Sequence, residues 1–186
     1  MDLFGGISDL KDKVIRTVGE PNERFTEDAL RLLRAIRFAS QLGFTINLET
    51  EKSIVKNSDS LKTISIERIR DEFIKIIMSS QPSLGLSLSH KLGILKHILP
   101  ELEAGISIQQ GGEHIYDVWE HTLRSVQHSA DKEWSLEVCL AALFHDFGKP
   151  KTQRVSDKLG KWSFYGHEVV GERMTDAIMQ RLKFPN

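Results

Sequence analysis

The chain has 186 residues, 40% hydrophobic and 27% charged, an ordinary globular composition that supports one substantial core or two small ones. A formal net charge of −1 and a pI near 6.7 exclude a global electrostatic pull on phosphate, so RNA binding would need a local arginine or lysine face. No apolar run approaches the roughly 20 residues that span a bilayer, and the lone Cys139 can make no internal disulfide, which excludes a membrane span and points to a reducing, cytoplasmic setting.

From Met1 to Arg24 the text is rich in glycine and charge, with one alternating, β-branched run at Val14–Val18 that reads as a strand without a sheet. Thr26 is a candidate N-cap with Glu27 and Asp28 in the first turn behind it, and a helix is expected from there to Gly43. Further helices are expected over Leu48–Lys56, Ser65–Met78 and Ser83–Leu92, broken at Pro82, Gly93 and Pro100. In the second of these, Ile66, Ile69, Phe73 and Ile77 face inward, and Glu67, Arg68, Asp71 and Glu72 decorate the opposite face. The polar stretch Gly105–Gly112 is the expected boundary between two helical units. Beyond it, Ile115–Ser129 and Leu136–Phe144 read as helices, Pro150–Trp162 as a polar loop or short hairpin, and Tyr165–Leu182 as a last helix. The expected fold class is mainly α, a helical bundle followed by a second all-α unit, with a short β segment near the N-terminus.

Two groups of residues carry chemistry. At 3.6 residues per turn, Asp28 and Arg31 project roughly 60° apart, and Arg31, Arg34 and Arg37 descend one side of the helix over roughly 120°. Leu32, Leu33, Ile36 and Ala39 hold the other side, so the helix can seat on a core and turn its arginines to an anion or a base edge. An Asp acceptor beside an Arg fork matches the donors and acceptors that a nucleobase presents in one plane. As a pattern by itself it equally describes a solvated helix with internal Asp–Arg pairs. The second group is His121, the adjacent His145-Asp146, and His167, each at a helix or helix end. Imidazole and carboxylate together suit a divalent ion, open among Mn, Mg, Fe, Ni, Co and Zn, and such an ion can activate a water for phosphate-ester hydrolysis. Gly148 and Pro150 would supply the helix end that lets His145 and Asp146 converge, and Lys149 could hold a phosphate oxygen. His114 and Asp117 are weaker candidates; His90, His97 and His128 have no partner pattern.

The series Asp2-Leu3-Phe4-Gly5-Gly6, Asp9-Leu10, Ile15-Arg16, Val18-Gly19 and Arg24-Phe25 ahead of Glu27-Asp28-Ala29-Leu30-Arg31 resembles the class II tRNA nucleotidyltransferase and poly(A) polymerase family. Ile64–Leu102, with Glu67-Arg68-Ile69-Arg70-Asp71-Glu72-Phe73 at its centre, resembles that family's neck. Ala29 stands where the family often has proline, a small change because proline in a first turn only pre-sets φ. The stretches around His121, His145-Asp146 and His167 resemble the HD phosphohydrolase domain embedded in many bacterial members.

The resemblance implies that Asp28 and Arg31 select ATP or CTP by hydrogen-bonding the base, while Arg34 and Arg37 serve the triphosphate, packing pairs or the tRNA 3' end. It implies that His121, His145 and Asp146 ligate metal and that His167 ligates or binds phosphate. The HD superfamily also implies a closing aspartate on a later helix, and Asp176 comes earlier than that position. Residues 1–25 would be the tail end of a nucleotidyltransferase head, 26–108 the neck and body, and 113–186 a C-terminally truncated HD domain. The head's D-x-D carboxylates, which would hold Mg for nucleotidyl transfer, are not in this sequence, so a fragment, split gene or internal start is expected. Three readings stay open: part of a CCA-adding or poly(A)-adding enzyme, a stand-alone HD phosphohydrolase, and a non-catalytic RNA-binding module.

Overall fold

Asp28 breaks the first helical stretch in two, at φ −150° and ψ 104°, in a computed structural model that describes residues 2–111, 115–156 and 161–185. The chain divides into two compact units, Met1–Ile98 and Leu99–Asn186, and that break lies within the first.

The first unit opens with α1 (Gly6–Asp12), whose free amides are capped by the Asp2 carboxylate, Oδ1 accepting from Gly6 N at 2.9 Å and Oδ2 from Ile7 N at 2.9 Å. β1 (Val14–Ile15) follows, then α2 (Pro21–Glu27), α3 (Leu30–Leu42) and β2 (Thr45–Ile46). The β-branched run expected to lack a sheet has a partner, since β1 and β2 pair in parallel with Val14 opposite Thr45. The helix expected to start at Thr26 starts at Leu30. Pro21 suits a first turn and nucleates α2, Thr26 Oγ1 donates back to Asn22 O at 2.8 Å, and Asp28 Oδ1 accepts from Leu30 N at 3.0 Å to start α3. Gly43 ends α3 at φ 66°, a left-handed conformation that glycine takes without a Cβ penalty.

Next come α4 (Leu48–Asn57), a 3-10 turn at Ser58–Thr63, α5 (Ile66–Ile77), α6 (Pro82–Lys91) and α7 (Leu95–Ile98). Asn47 caps α4 by accepting from Glu49 N and Thr50 N. α3 packs on α5 and α6, burying Leu32, Leu33, Ile36 and Ala39 against the apolar stripe Ile69, Phe73, Ile76 and Ile77 and against Leu86.

The second unit contains α8 (Pro100–Glu103), α9 (Val118–Asp131), α10 (Leu136–Phe144), α11 (Lys149–Thr152), the antiparallel pair β3 (Arg154–Ser156) and β4 (Lys161–Ser163), and α12 (His167–Arg181). The division falls after Ile98, ahead of the Gly105–Gly112 segment expected to mark it. The reason is local hydrogen bonding: Val118 N donates to Ile108 O at 3.0 Å and Trp119 N to Gly105 O at 3.1 Å, tying that segment to the start of α9.

Glu72, expected on the solvent side of α5, is buried instead and meets Arg37, with Nε to Oε2 at 3.4 Å and side-chain exposures of 13% for Arg37 and 7% for Glu72. Lys75 reaches the other carboxylate oxygen at 3.0 Å. Removing one partner of a buried pair strands the other charge, at a cost of roughly 3–5 kcal/mol. Glu72→Ala should therefore lower unfolding free energy by about 3 kcal/mol in urea titration, whereas Arg34→Ala at an exposed position should stay within about 0.5 kcal/mol. Equal, small effects of the two changes would show that the Arg37–Glu72 pair does not hold α3 to α5.

Candidate metal centre and arginine cavity

α10 is apolar almost throughout and buries Cys139, Leu140, Leu143 and Phe144, while burial pushes the Cys139 thiol up. Its end is therefore pinned inside the fold. His145 continues the helical path at φ −54° and ψ −31°, and Asp146 in the next turn is only 2% exposed. α9 packs on α10 and carries His121 to the same point.

Three ligand-type atoms converge there. His121 Nε2 lies 3.0 Å from His145 Nε2, and these nitrogens lie 3.4 and 3.1 Å from Asp146 Oδ2. His145 Nδ1 sits 2.9 Å from Ala142 O, so it carries the proton and directs Nε2 into the cluster. Two imidazole lone pairs at 3.0 Å repel unless a proton or a cation lies between them, so the donor set fits a divalent ion. Among the described residues, His121, His145 and Asp146 form the group whose ligand atoms all lie within 4.8 Å of one another.

The charges around Asp146 settle its state. Burial alone would raise its pKa, but hydrogen bonds from His145 and Lys149 outweigh burial and take it down to about 2. The reciprocal bond to Asp146 holds the His145 imidazole above its ordinary value against desolvation.

The other expected residues take different places. Lys149 Nζ is 2.7 Å from Asp146 Oδ2 and 2.6 Å from Gln110 Oε1, which makes it a buried prop for the carboxylate rather than a cation reaching outward. His167 lies on the far carboxylate oxygen, Nε2 to Oδ1 at 3.8 Å, with Nδ1 2.9 Å from Phe164 O. Asp117 caps α9, Oδ1 accepting from Glu120 N at 2.8 Å and Oδ2 from Ser107 N at 2.9 Å. Asp176 accepts from Gln180 on an exposed helix face. His128 packs edge-on to Trp134, and His97 lies 3.2 Å from Asp59. His114 lies outside the described residues.

In the first unit, a cavity of about 440 Å³ opens beside α3, lined by Arg31, Arg34, Arg16, Thr17, Val18 and Phe38 among others. Arg31 is set by two neighbours, donating to Arg24 O at 3.0 Å and pairing with Glu27. The Glu27 carboxyl is held below its ordinary range, first by Arg31 and then by Arg24. Arg34 is exposed, and no hydrogen bond or ion pair among the described residues engages its guanidinium. Asp28 lies outside this lining; its Oδ2 takes Arg68 at 3.2 Å. Arg37 points into the α3–α5 packing and so is separated from Arg31 and Arg34.

Residues 43–106 match the model of the probable RNA and SrmB-binding site of polymerase A, and residues 118–184 match the HD domain. The A-adding tRNA nucleotidyltransferase of Deinococcus radiodurans is 37% identical over all of this chain and 44% of its own length. The CC-adding tRNA nucleotidyltransferase of Thermus thermophilus is 36% identical over 98% of this chain and 43% of its own length. The chain belongs to the tRNA nucleotidyltransferase family. It spans less than half the length of those two relatives.

Among solved structures of the family, the Bacillus stearothermophilus CCA-adding enzyme in complex with CTP superposes with a TM-score of 0.55 at 26% identity, over 98% of this chain and 40% of its own. The Thermotoga maritima CCA-adding enzyme complexed with tRNA shares the fold at a TM-score of 0.58 and 19% identity, over 98% of this chain and 40% of its own. Membership in the tRNA nucleotidyltransferase family with an HD domain brings divalent-metal dependence, which the triad's donor set fits. No helix among the described residues is long and apolar enough to cross a membrane.

Sequence reasoning missed Gln110, Glu27 and the true use of Gly148. The Glu27-to-Arg31 spacing of four was a readable signal; Gln110 had none, because it meets Lys149 across 39 positions of sequence. Gly148, expected at a helix end, has φ −75° and its value is steric: a Cβ there would lie 1.9 Å from His167 O and 2.8 Å from Gly171 N. Gly148→Ala should push α12 away, lowering the midpoint of thermal unfolding and weakening Mn²⁺ binding at least severalfold; unchanged calorimetry and metal titration would refute this. Mn²⁺ must also displace the proton that Asp146 favours on His145, so affinity should fall as pH drops through the raised His145 pKa. A pH-independent affinity between pH 5 and 8, roughly the range in which histidine titrates, would argue against His145 as a ligand.

Proposed function

We propose that this chain is the neck, body and HD portion of a cytoplasmic enzyme that adds nucleotides to the tRNA 3' end, with its first unit selecting ATP or CTP. The observation that carries the reading is the arginine cavity: Arg31 preset by Glu27 and by Arg24 O, and Arg34 uncommitted beside the apolar walls of Val18 and Phe38. Apolar faces suit a base and guanidinium groups suit its edge or its phosphates. Asp28 would join Arg31 on the base after releasing Arg68. That exchange is cheap, because Arg68 is about half exposed at 52% and such ion pairs are worth roughly 0–1 kcal/mol. Arg37 would serve packing, since Glu72 already holds it. Nucleotidyl transfer itself would be carried by a head with two Mg²⁺ ions.

The second unit would be a metal-dependent phosphohydrolase. A divalent ion, of which Mn, Ni, Mg, Fe, Co and Zn all suit the donor set, would supply Lewis acidity and a water of lowered pKa. His121, His145 and Asp146 would hold it, Lys149 and Gln110 would fix the carboxylate, and His167 would orient the far oxygen or meet a phosphate.

Nucleotide titration by calorimetry tests the first unit. CTP and ATP should bind more tightly than UTP and GTP, and Arg31→Ala should cost the preference about tenfold while leaving Mn²⁺ binding alone, since one lost charged hydrogen bond is worth about 1.5–3 kcal/mol. Discrimination that survives Arg31→Ala would sink the base-reading role.

A further inference from the structure

The arginine cavity of the first unit has two working walls that come from different parts of the chain. Val18 offers an apolar face from the loop after β1, and Arg31 offers its fork from the start of α3. A planar ring that rests on one and hydrogen-bonds the other reads the spacing between them, so that spacing has to be held. Arg24 is tied to both walls. Its Nε donates to Val18 O at 2.9 Å, and its Nη1 donates at 3.0 Å to Glu27 Oε2, the oxygen that Arg31 Nη1 also takes. Its backbone oxygen accepts from Arg31 Nη1 at 3.0 Å. Arg24 lies outside the lining of the cavity and borders a neighbouring groove of about 340 Å³ with Thr17, Val18 and Arg31.

α2 is a firm base for this bridge. Phe25, 1% exposed, seats α2 in the core, and Asn22 Oδ1 accepts from Ser53 Oγ at 2.8 Å and from Asn57 Nδ2 at 3.1 Å, both on α4. Gly19, left-handed at φ 84°, turns the loop beside the guanidinium, where a Cβ would come 3.4 Å from Arg24 Nε. The bridge adds little stability, because the Arg24 and Glu27 side chains are 44% and 48% exposed and ion pairs so open to solvent weigh little. Its effect is geometric.

We propose that Arg24 is a positioning residue for nucleotide selection: its side chain fixes the Val18 wall and the Arg31 fork at one spacing and does not itself meet the nucleotide. The proposal rests on the reading of this cavity as the site that selects ATP or CTP.

Calorimetric titration of the whole chain with CTP, ATP, UTP and GTP tests it in Arg24→Gln and Arg24→Lys, both of which keep the backbone oxygen that Arg31 uses. Each should lower the preference for CTP over UTP about fivefold, the weight of one hydrogen bond, with a urea midpoint within about 0.3 M of wild type. A lowered midpoint with all four nucleotides weakened alike would mark a purely structural role and overturn the proposal. Added to Arg31→Ala, Arg24→Gln should weaken CTP by no more than about twofold further, because no fork is left to place. An undiminished loss in that background would show that Arg24 meets the nucleotide directly, and the proposal fails. A preference that Arg24→Lys fully retains would show that charge alone suffices and the two-armed bridge does not matter, which also overturns it. Arg24→Lys carries the test if Arg24→Gln does not fold. A wild-type chain without preference for CTP and ATP removes the reading of the cavity and this proposal together, whereas a wild-type preference left intact in both variants removes the proposal alone.

Discussion

A carboxylate as deeply buried as Asp146 persists as an anion only if cations and donors surround it, and the second unit is arranged around that demand. Isolated, such a charge would cost several kcal/mol of desolvation. Lys149 answers from the start of α11, His145 from the end of α10, His121 from α9 and His167 from α12, so four separate segments are drawn to one oxygen pair. The same requirement explains Gly148, because α12 can bring His167 near only where the backbone carries no Cβ. Structure and chemistry coincide here: two of the groups that surround the carboxylate, His121 and His145, are also those that would share an ion with it.

The first unit solves a different problem with one helix. α3 must bury an apolar face and still present cations, and its three arginines divide that work by position. Arg37 turns inward to Glu72, Arg31 is braced by Glu27, and Arg34 faces open space. Because the inward pair is nearly dehydrated while the Glu27 pair is about half exposed, at 48%, the two ion pairs differ severalfold in energetic weight despite identical chemistry. The bracing of Arg31 contributes orientation more than stability, which is what a guanidinium fork would need in order to read a planar edge.

The periodic elements were legible because their causes are local. α10 lies where its apolar run lies, α4 and α5 match their patterns to within a residue or two, and in the stretch expected as a loop or hairpin Arg154–Ser156 pairs antiparallel with Lys161–Ser163 behind the short α11. What escaped depends on tertiary context. The break at Asp28 pits a proline-started α2 against a favourable continuation through Thr26, and a capping carboxylate decides it. Glu72 reads as surface until the opposing arginine is known, and the β1 strand reads as orphaned until β2 comes round beside it. The triad histidines and aspartate stand out by residue type, and it is the resemblance to the HD domain that groups them as a metal set; the turning of Lys149 inward was not legible, since its partner Gln110 comes from a segment without pattern.

Net charge conceals both sites. A chain of net charge −1 would be dismissed as a phosphate binder if its field were averaged, yet Arg16, Arg31 and Arg34 line one cavity of the first unit, and Lys149 joins three histidines around Asp146 in the second. At physiological ionic strength, exposed charges farther apart than about 8 Å are largely screened from one another, so the many acidic residues of the exposed helix faces weigh little on a cavity walled by Arg31 and Arg34. Recognition then depends on local geometry more than on long-range attraction, and specificity for the ligand's shape follows. An apolar-walled cavity beside two guanidinium groups has the composition that a ring and a phosphate together would use.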